Sequence, residues 1–254
     1  MRCGRYHYFH PQGRCSYHPR LAFPARGDTD VVKFMKTCMA MLCSAFVGSE
    51  PSAASLSPPA EWGPFRPPEL VELVKLEPSI RLDVRYATAD NFVGRPVYAE
   101  PRVFLQKPAA EALVRVHRSL RGSGYGLVVF DGYRPWSVSK LFWDAVSEDK
   151  RAFVADPAQG SRHNRGCAVD LSLYRLDTGQ AVAMPSDYDE MNEKAYPDYA
   201  GATSEAREMR GLLRKAMEAE GFSVYPTEWW HYDYRDWSQY GILDFPFSHL
   251  NSLQ

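Results

Sequence analysis

An α+β domain is what this sequence predicts, on three observations. Residues 79–86 alternate apolar and polar side chains with the period of two that a half-buried strand needs. Met209, Leu212, Leu213, Ala216 and Met217 recur at the i, i+3, i+4, i+7, i+8 spacing of a helix with one buried face. Two strand-like segments, residues 222–225 and 229–234, then follow one another near the C-terminus, interrupted by Pro226.

The 254 residues, 45% hydrophobic and 24% charged, are ordinary for one large or two small globular domains and can bury a sizeable core. Thirty basic residues against 31 acidic ones leave a net charge of −1. No global field therefore attracts nucleic acid, and no nucleic-acid partner is expected.

Residues 1–34 are rich in Arg, His, Pro and Tyr without apolar periodicity, and read as disordered or as an upstream extension from a misassigned start codon. Residues 35–54 have the parts of a signal peptide. Lys36 precedes an apolar run at 37–47, and the small residues of Pro51-Ser52-Ala53-Ala54-Ser55 follow. That run is shorter than the roughly 20 residues that cross a bilayer, so no stable transmembrane segment is expected; a buried strand or helix is the alternative. If the Met35 leader is cleaved, the protein is exported to a periplasmic or other extracytoplasmic space; otherwise it is cytoplasmic. Cys43 invites a lipoprotein reading, but Ala40-Met41-Leu42 lacks the small residue that precedes a lipidated cysteine. Cys3, Cys15, Cys38 and Cys43 would leave with the leader. The remaining Cys167 has no partner for an internal disulfide, so the core must hold the domain.

Residues 55–68, with Pro58-Pro59 and Pro67-Pro68, read as a linker, and residues 69–254 as the domain. After the strand at 79–86, Asn91-Phe92-Val93-Gly94-Arg95-Pro96 supplies turn chemistry. A helix over 107–121 places Leu113, Val116 and Leu120 on one face, and Gly122-Ser123-Gly124 ends it. Residues 125–130 form a buried strand that delivers Asp131-Gly132-Tyr133-Arg134-Pro135 at its end, where rigid structure can position accessible side chains. A second helix covers 136–146 and a loop 147–161. From Cys167 a strand puts Cys167, Val169, Leu171 and Leu173 on a core face and Ala168, Asp170, Ser172 and Tyr174 on the other. Cys167 thus packs as a small apolar residue. Turns fill 175–203, including the acidic, aromatic loop at 184–190. Ser204 caps the third helix and Gly221 ends it.

The chemistry concentrates in two stretches. Ser161-Arg162-His163-Asn164-Arg165-Gly166-Cys167-Ala168-Val169-Asp170 carries two potential metal ligands, His163 and Asp170, in a turn running into a strand. Glu228-Trp229-Trp230-His231 adds a carboxylate and an imidazole. Zinc catalysis takes three protein ligands, one open position and a nearby base, and His163, Asp170, His231 and Glu228 supply that set. Each half alone is common in proteins; their conjunction with Gly166, the strand parity and the Arg134 loop is what points to a site. Glu228 and His231, at i, i+3, lie on opposite faces of a regular strand. Either the backbone bends between them or Glu228 precedes the strand, which Pro226 permits. The plainer alternatives are a surface pairing of Arg134 with Asp131, and Trp229 and Trp230 as packing residues.

Four motifs in this order resemble the D-alanyl-D-alanine dipeptidases of the VanX type, zinc peptidases that share a fold with D-alanyl-D-alanine carboxypeptidases and hedgehog domains. They are Asn91-Phe92-x-Gly94, Asp131-Gly132-Tyr133-Arg134-Pro135, Ser161-x-His163-x-x-Gly166-x-Ala168-x-Asp170 and Glu228-Trp229-Trp230-His231, and the resemblance spans roughly residues 70–245. It implies a single domain with a central, mainly antiparallel sheet flanked by helices and the zinc site on the sheet. It further implies one Zn2+ per chain on His163, Asp170 and His231, Glu228 as general base and acid, and Arg134 stabilising the oxyanion. Ser161 and Asp189 would hold the substrate's ammonium end, although Met184-Pro185-Ser186-Asp187 departs from the family's usual glycine-containing version. The implied reaction is hydrolysis of D-alanyl-D-alanine, or a related free dipeptide, to two amino acids. One rival is a carboxypeptidase or endopeptidase acting on peptidoglycan stem peptides, in which the loop around Asp187 and Asp189 would leave a groove. The other is a metal-bearing binding domain without activity, against which Glu228 and Arg134 argue. Nothing in the sequence specifies an oligomeric state.

Overall fold

Residues 57–250 are described by the computed structural model. The stretches read as an extension and a signal peptide, with Cys3, Cys15, Cys38 and Cys43, lie outside the described residues. In chain order the elements are β1 (Leu70–Glu72), α1 (Leu73–Leu76), β2 (Arg81–Leu82), β3 (Phe104–Gln106), α2 (Lys107–Arg121), β4 (Tyr125–Asp131), α3 (Trp136–Ala145), β5 (Ala168–Arg175), α4 (Ser204–Ala219), β6 (Phe222–Tyr225), β7 (Glu228–Tyr234) and α5 (Phe247–Leu250). Five strands form the main sheet in the order β2-β4-β5-β7-β6, and β1 pairs with β3 in a two-stranded sheet. Only β2 against β4 is parallel among the pairings of the main sheet; the others are antiparallel. This is the expected α+β class.

Helix α2 packs against β4 and α4 against β6, because each has an apolar stripe to bury. Leu113, Val116 and Leu120 on α2 and Leu213 and Met217 on α4 are almost wholly shielded, and they meet the Cys167, Val169, Leu171 and Leu173 face within one core. The other face of β5 is covered too: Ala168, Asp170, Ser172 and Tyr174 are all buried. A row containing an aspartate can be buried only if something satisfies its charge, which makes this face the place to look for chemistry.

Several local expectations are revised. The strand foreseen over 79–86 pairs only at Arg81–Leu82, then tightens into a 3₁₀ turn at Arg85–Ala87. Its alternation is still real, since Ile80, Val84 and Tyr86 are buried, but an edge segment can bury one face without a full hydrogen-bond ladder. Thr203, not Ser204, caps α4. Its extended backbone lets Oγ1 accept from the Ala206 N–H at 3.2 Å, while the Ser204 hydroxyl turns to Glu208. The loop foreseen at 147–161 contains a 3₁₀ turn at Glu148–Phe153. The proline-rich stretch is fastened rather than free: Glu61 pairs with the Arg165 guanidinium and accepts from the Ile242 N–H at 2.7 Å.

The bend demanded between Glu228 and His231 is present. Val224 of β6 pairs with Tyr232 of β7, but the next residue, Tyr225, pairs with Glu228. One step along β6 therefore answers four along β7, and the bulged strand swings Glu228 toward the face that His231 occupies.

Candidate active site

Three neighbouring strands lay their polar residues side by side. Asp131 of β4 pairs with Asp170 of β5, and Asp170 pairs with His231 of β7. His163 arrives from a 3₁₀ turn at His163–Arg165, which Gly166 closes with φ 69°. A Cβ on Gly166 would stand 2.5 Å from Leu70 Cδ2, so both its conformation and its space exclude other residues. Asn164, fully buried, ties this turn to the β4–α3 loop. Its Nδ2 donates to the Arg134 carbonyl at 2.9 Å and to Ser139 Oγ at 2.8 Å, and its Oδ1 accepts from the Ser161 N–H.

Hydrogen bonds decide which way each imidazole presents its lone pair. His163 Nδ1 lies 2.7 Å from the Gly132 carbonyl, which can only accept, so Nδ1 carries the hydrogen and Nε2 is bare. His231 Nε2 lies 3.0 Å from Asp233 Oδ1 and donates to it, which turns Nδ1 toward the cluster. Burial opposes a charge on this ring, but Asp170 and Asp233 hold its pKa well above the ordinary value, so that in the absence of a metal a proton is favoured there. The two inward nitrogens stand 3.1 Å apart, and Asp170 Oδ1 lies 3.3 Å from one and 3.1 Å from the other. With both imidazoles neutral, all three groups present lone pairs to one another; all three residues are buried, and Asp170 Oδ1 has no hydrogen-bond partner among the described residues. Three converging lone pairs in a dry place repel one another unless a cation sits among them. His163, Asp170 and His231 thus form a cluster that could hold a metal ion.

The remaining groups surround that cluster. Glu228 Oε2 is 3.6 Å from His231 Nδ1. Burial pushes the Glu228 carboxyl up to about 8, with His231 opposing and the Asp170 charge adding to the rise. Asp131 grips Arg134 through Nε at 2.9 Å and Nη2 at 2.8 Å, and is itself held by the Tyr98 hydroxyl and the Gly132 N–H. Burial works against a charged Arg134, but Asp131 holds its pKa well above the ordinary value. The pairing of Arg134 with Asp131 weighed from the sequence therefore exists, but it is buried and points the guanidinium at the cluster, 3.7 Å from Asp170 Oδ2. Asp189 has a left-handed backbone, φ 62°, and its Oδ2 accepts from the Tyr86 hydroxyl at 2.9 Å. Desolvation, helped by the Asp170 charge, raises its carboxyl to about 7. Ser161 Oγ accepts from the His163 N–H at 3.2 Å.

One pocket is lined by all seven residues singled out in the sequence: Arg134, Ser161, His163, Asp170, Asp189, Glu228 and His231. Asp187, in the same loop as Asp189, is exposed and faces a different depression. Trp229 and Trp230 are packed, as the plainer reading had it, although Trp230 also reaches the pocket wall. Cys167 is a buried thiol whose pKa burial raises to about 12. Sequence reasoning missed Tyr86, Tyr188, whose hydroxyl donates to Asp170 Oδ2 at 3.1 Å, and Asp233. Only Asp233 carried a signal: at i+2 from His231 it shares that residue's strand face.

A family model described as D-ala-D-ala dipeptidase, Peptidase_M15, matches residues 66–251. The D-alanyl-D-alanine dipeptidase of Escherichia coli strain K12 is 34% identical over 180 residues, which is 71% of this chain and 92% of that protein. The D-alanyl-D-alanine dipeptidase of Enterococcus faecium is 38% identical over 175 residues, 62% of this chain and 87% of its own. That of Enterococcus faecalis is 40% identical over 171 residues, 60% of this chain and 85% of its own.

Proposed function

The chain belongs to the Peptidase_M15 family of D-Ala-D-Ala dipeptidases, and from that premise we propose that it hydrolyses D-alanyl-D-alanine to two molecules of D-alanine with one Zn2+ on His163, Asp170 and His231. The observation that carries this reading is the acceptor triangle beside a buried glutamate. Ligands about 2.0–2.1 Å from a tetrahedral zinc stand roughly 3.3 Å from one another. The separations of 3.1, 3.1 and 3.3 Å fit that spacing, and the nitrogen and oxygen donors suit the ion. Asp233 and the Gly132 carbonyl supply the outer hydrogen bonds that fix both imidazoles.

Zinc held there supplies Lewis acidity, lowering the pKa of water and polarising the scissile carbonyl. Glu228 is a carboxylate outside the ligand set on the cluster side of His231, 3.6 Å from its Nδ1. It takes the proton of the attacking water and delivers it to the departing amine. The charge of a dication counters the desolvation that otherwise keeps Glu228 protonated near neutral pH. Arg134, locked by Asp131, offers a fixed cation to the oxyanion as it develops, at no reorganisation cost. Asp189, backed by Tyr86, takes the substrate's ammonium group together with Ser161. A metal-bearing domain without activity would have no use for Glu228 or for Arg134 aimed at the cluster. Export, on the strength of the leader at 35–54, belongs to the same reading, and N-terminal sequencing of a secreted fraction tests it.

The deciding experiment compares the zinc-loaded protein with Glu228→Gln. Turnover of D-Ala-D-Ala is expected to fall by on the order of 10² to 10⁴-fold with zinc content unchanged. Equal turnover in the two proteins would refute the assignment of the base.

A further inference from the structure

A free dipeptide is a zwitterion, and the groups above account for its ammonium end and its amide but not for its carboxylate. Two guanidinium groups line the pocket, those of Arg134 and Arg162. Arg134 is committed to Asp131. Arg162 is not so committed. Its Nε is shielded from solvent and finds no hydrogen-bond partner among the described residues. The Asp233 carboxylate pairs with it loosely, its Oδ2 standing 3.6 Å from Nε and beyond hydrogen-bonding reach, while the other oxygen, Oδ1, accepts from His231. The planar head is nevertheless held in place, 4.6 Å from the centre of the Trp237 ring and 5.8 Å from that of Tyr225. Stacking of this kind fixes the faces of a guanidinium and leaves its edge for a planar anion, which it can grip through two parallel hydrogen bonds.

Arg162 also lies apart from the amine-reading groups. It belongs with Asp233, Tyr225 and Trp237, on the Nε2 side of His231. Asp189 belongs with Tyr86, whose ring faces Tyr188. The pocket thus carries an acid in one part of its wall and a partly exposed cation, only loosely paired with Asp233, in another, with His163, Asp170, His231 and Glu228 also on that wall. That arrangement has the charge pattern of a zwitterion with its amide at the ligands.

We infer that Arg162 is a specificity-determining residue that binds the free C-terminal carboxylate of the substrate, so that the site selects a dipeptide acid over the same dipeptide with its C-terminus blocked. The inference rests on the dipeptidase reading above. Arg162 also neighbours Asp233, which orients His231, so its test must separate carboxylate binding from an indirect effect on the metal site. Wild-type protein, Arg162→Ala and Arg162→Lys, all zinc-loaded, are compared on D-Ala-D-Ala and on its C-terminal amide, with zinc content measured in each. Arg162→Ala is expected to raise KM for the free acid by on the order of 10- to 100-fold with kcat little changed, the loss of a hydrogen-bonded charge pair. It should erase the preference for acid over amide, leaving amide hydrolysis as in the wild type. Arg162→Lys should recover part of the preference, since it restores the charge without the fork. An acid-over-amide preference unchanged in Arg162→Ala would overturn the inference and leave the dipeptidase reading standing. So would equal losses on both substrates accompanied by loss of zinc. Failure of the wild-type protein to hydrolyse either substrate would overturn both.

Discussion

Gly166→Ala is a small change with a large expected cost, and the cost can be worked from the structure. Gly166 has φ 69° and ψ 22°, a left-handed conformation that an L-residue adopts only at about 1–2 kcal/mol. The added Cβ would also stand 2.5 Å from Leu70 Cδ2 and 3.3 Å from the Gln106 nitrogen. The tip of the half-buried Leu70 side chain can swing aside at modest cost, but the Gln106 backbone cannot, because its N–H donates to the Gly166 carbonyl at 2.8 Å. Overpacking of this kind adds about 1–3 kcal/mol. The total, roughly 2–5 kcal/mol, is a large part of the 5–15 kcal/mol that typically holds a domain together. For a domain of this size each kcal/mol moves Tm by about 2–4 °C, so a fall of roughly 4–20 °C is expected. Calorimetry on metal-stripped protein is the assay, since bound ligand would mask the change by linkage. Gly211 on α4 is the control, because a Cβ there would meet nothing within 4 Å; alanine at that position should stabilise by about 0.5–1 kcal/mol. A Tm for Gly166→Ala within about 1 °C of wild type would show that the turn between His163 and Asp170 does not need glycine.

Two further outcomes follow from buried polar contacts. Asp233→Asn weakens the acceptor that fixes His231, so zinc affinity in competition with a chelator should drop about 10- to 100-fold, and an unaltered affinity would deny Asp233 that role. His117 is wholly buried, its Nδ1 accepts from the Leu127 N–H at 3.1 Å, and burial lowers its pKa below 6.5. The unfolded chain therefore binds a proton at His117 before the folded one does. Its contribution to stability is complete above about pH 6.5 and is lost as pH falls through the lowered folded value. Denaturant unfolding of metal-stripped wild type and His117→Gln between pH 7 and about 5 checks this, with a shallower decline expected in the variant. Parallel curves would contradict it.

What the sequence made legible was whatever is periodic or local. Helix α2 could be bounded to the residue because Lys107-Pro108 opens it and a glycine-rich turn closes it, and β5 to within one residue at each end because its alternate residues share one chemistry. The ligand set was reachable because His163 and Asp170 flank one turn and Glu228 and His231 share one segment. The contacts that escaped join residues far apart in the chain without a motif. Tyr86 reaches Asp189 across 103 positions, and Tyr188 meets Asp170 from a loop with no period to read. Arg102, salt-bridged to Glu72, and Arg165, paired with Glu61, likewise meet acids that no local pattern in the sequence points to. The cap of α4 slipped by one residue because Thr203 and Ser204 are both good caps, and only backbone angles choose between them.

The bulge in β7 has a consequence beyond bringing Glu228 round. Two different ladders govern the two halves of the chemistry: the β5–β7 pairing aligns Asp170 with His231, and the β6–β7 pairing, past the bulge, stations Glu228 opposite Tyr225. The proposed ion capture and proton transfer thus rest on two different pairings of one strand. A shortening of the loop between β6 and β7 would displace Glu228 while leaving the alignment of Asp170 with His231 in place, separating the proposed base from the cluster by deletion alone. The fold keeps the two properties on separate hinges.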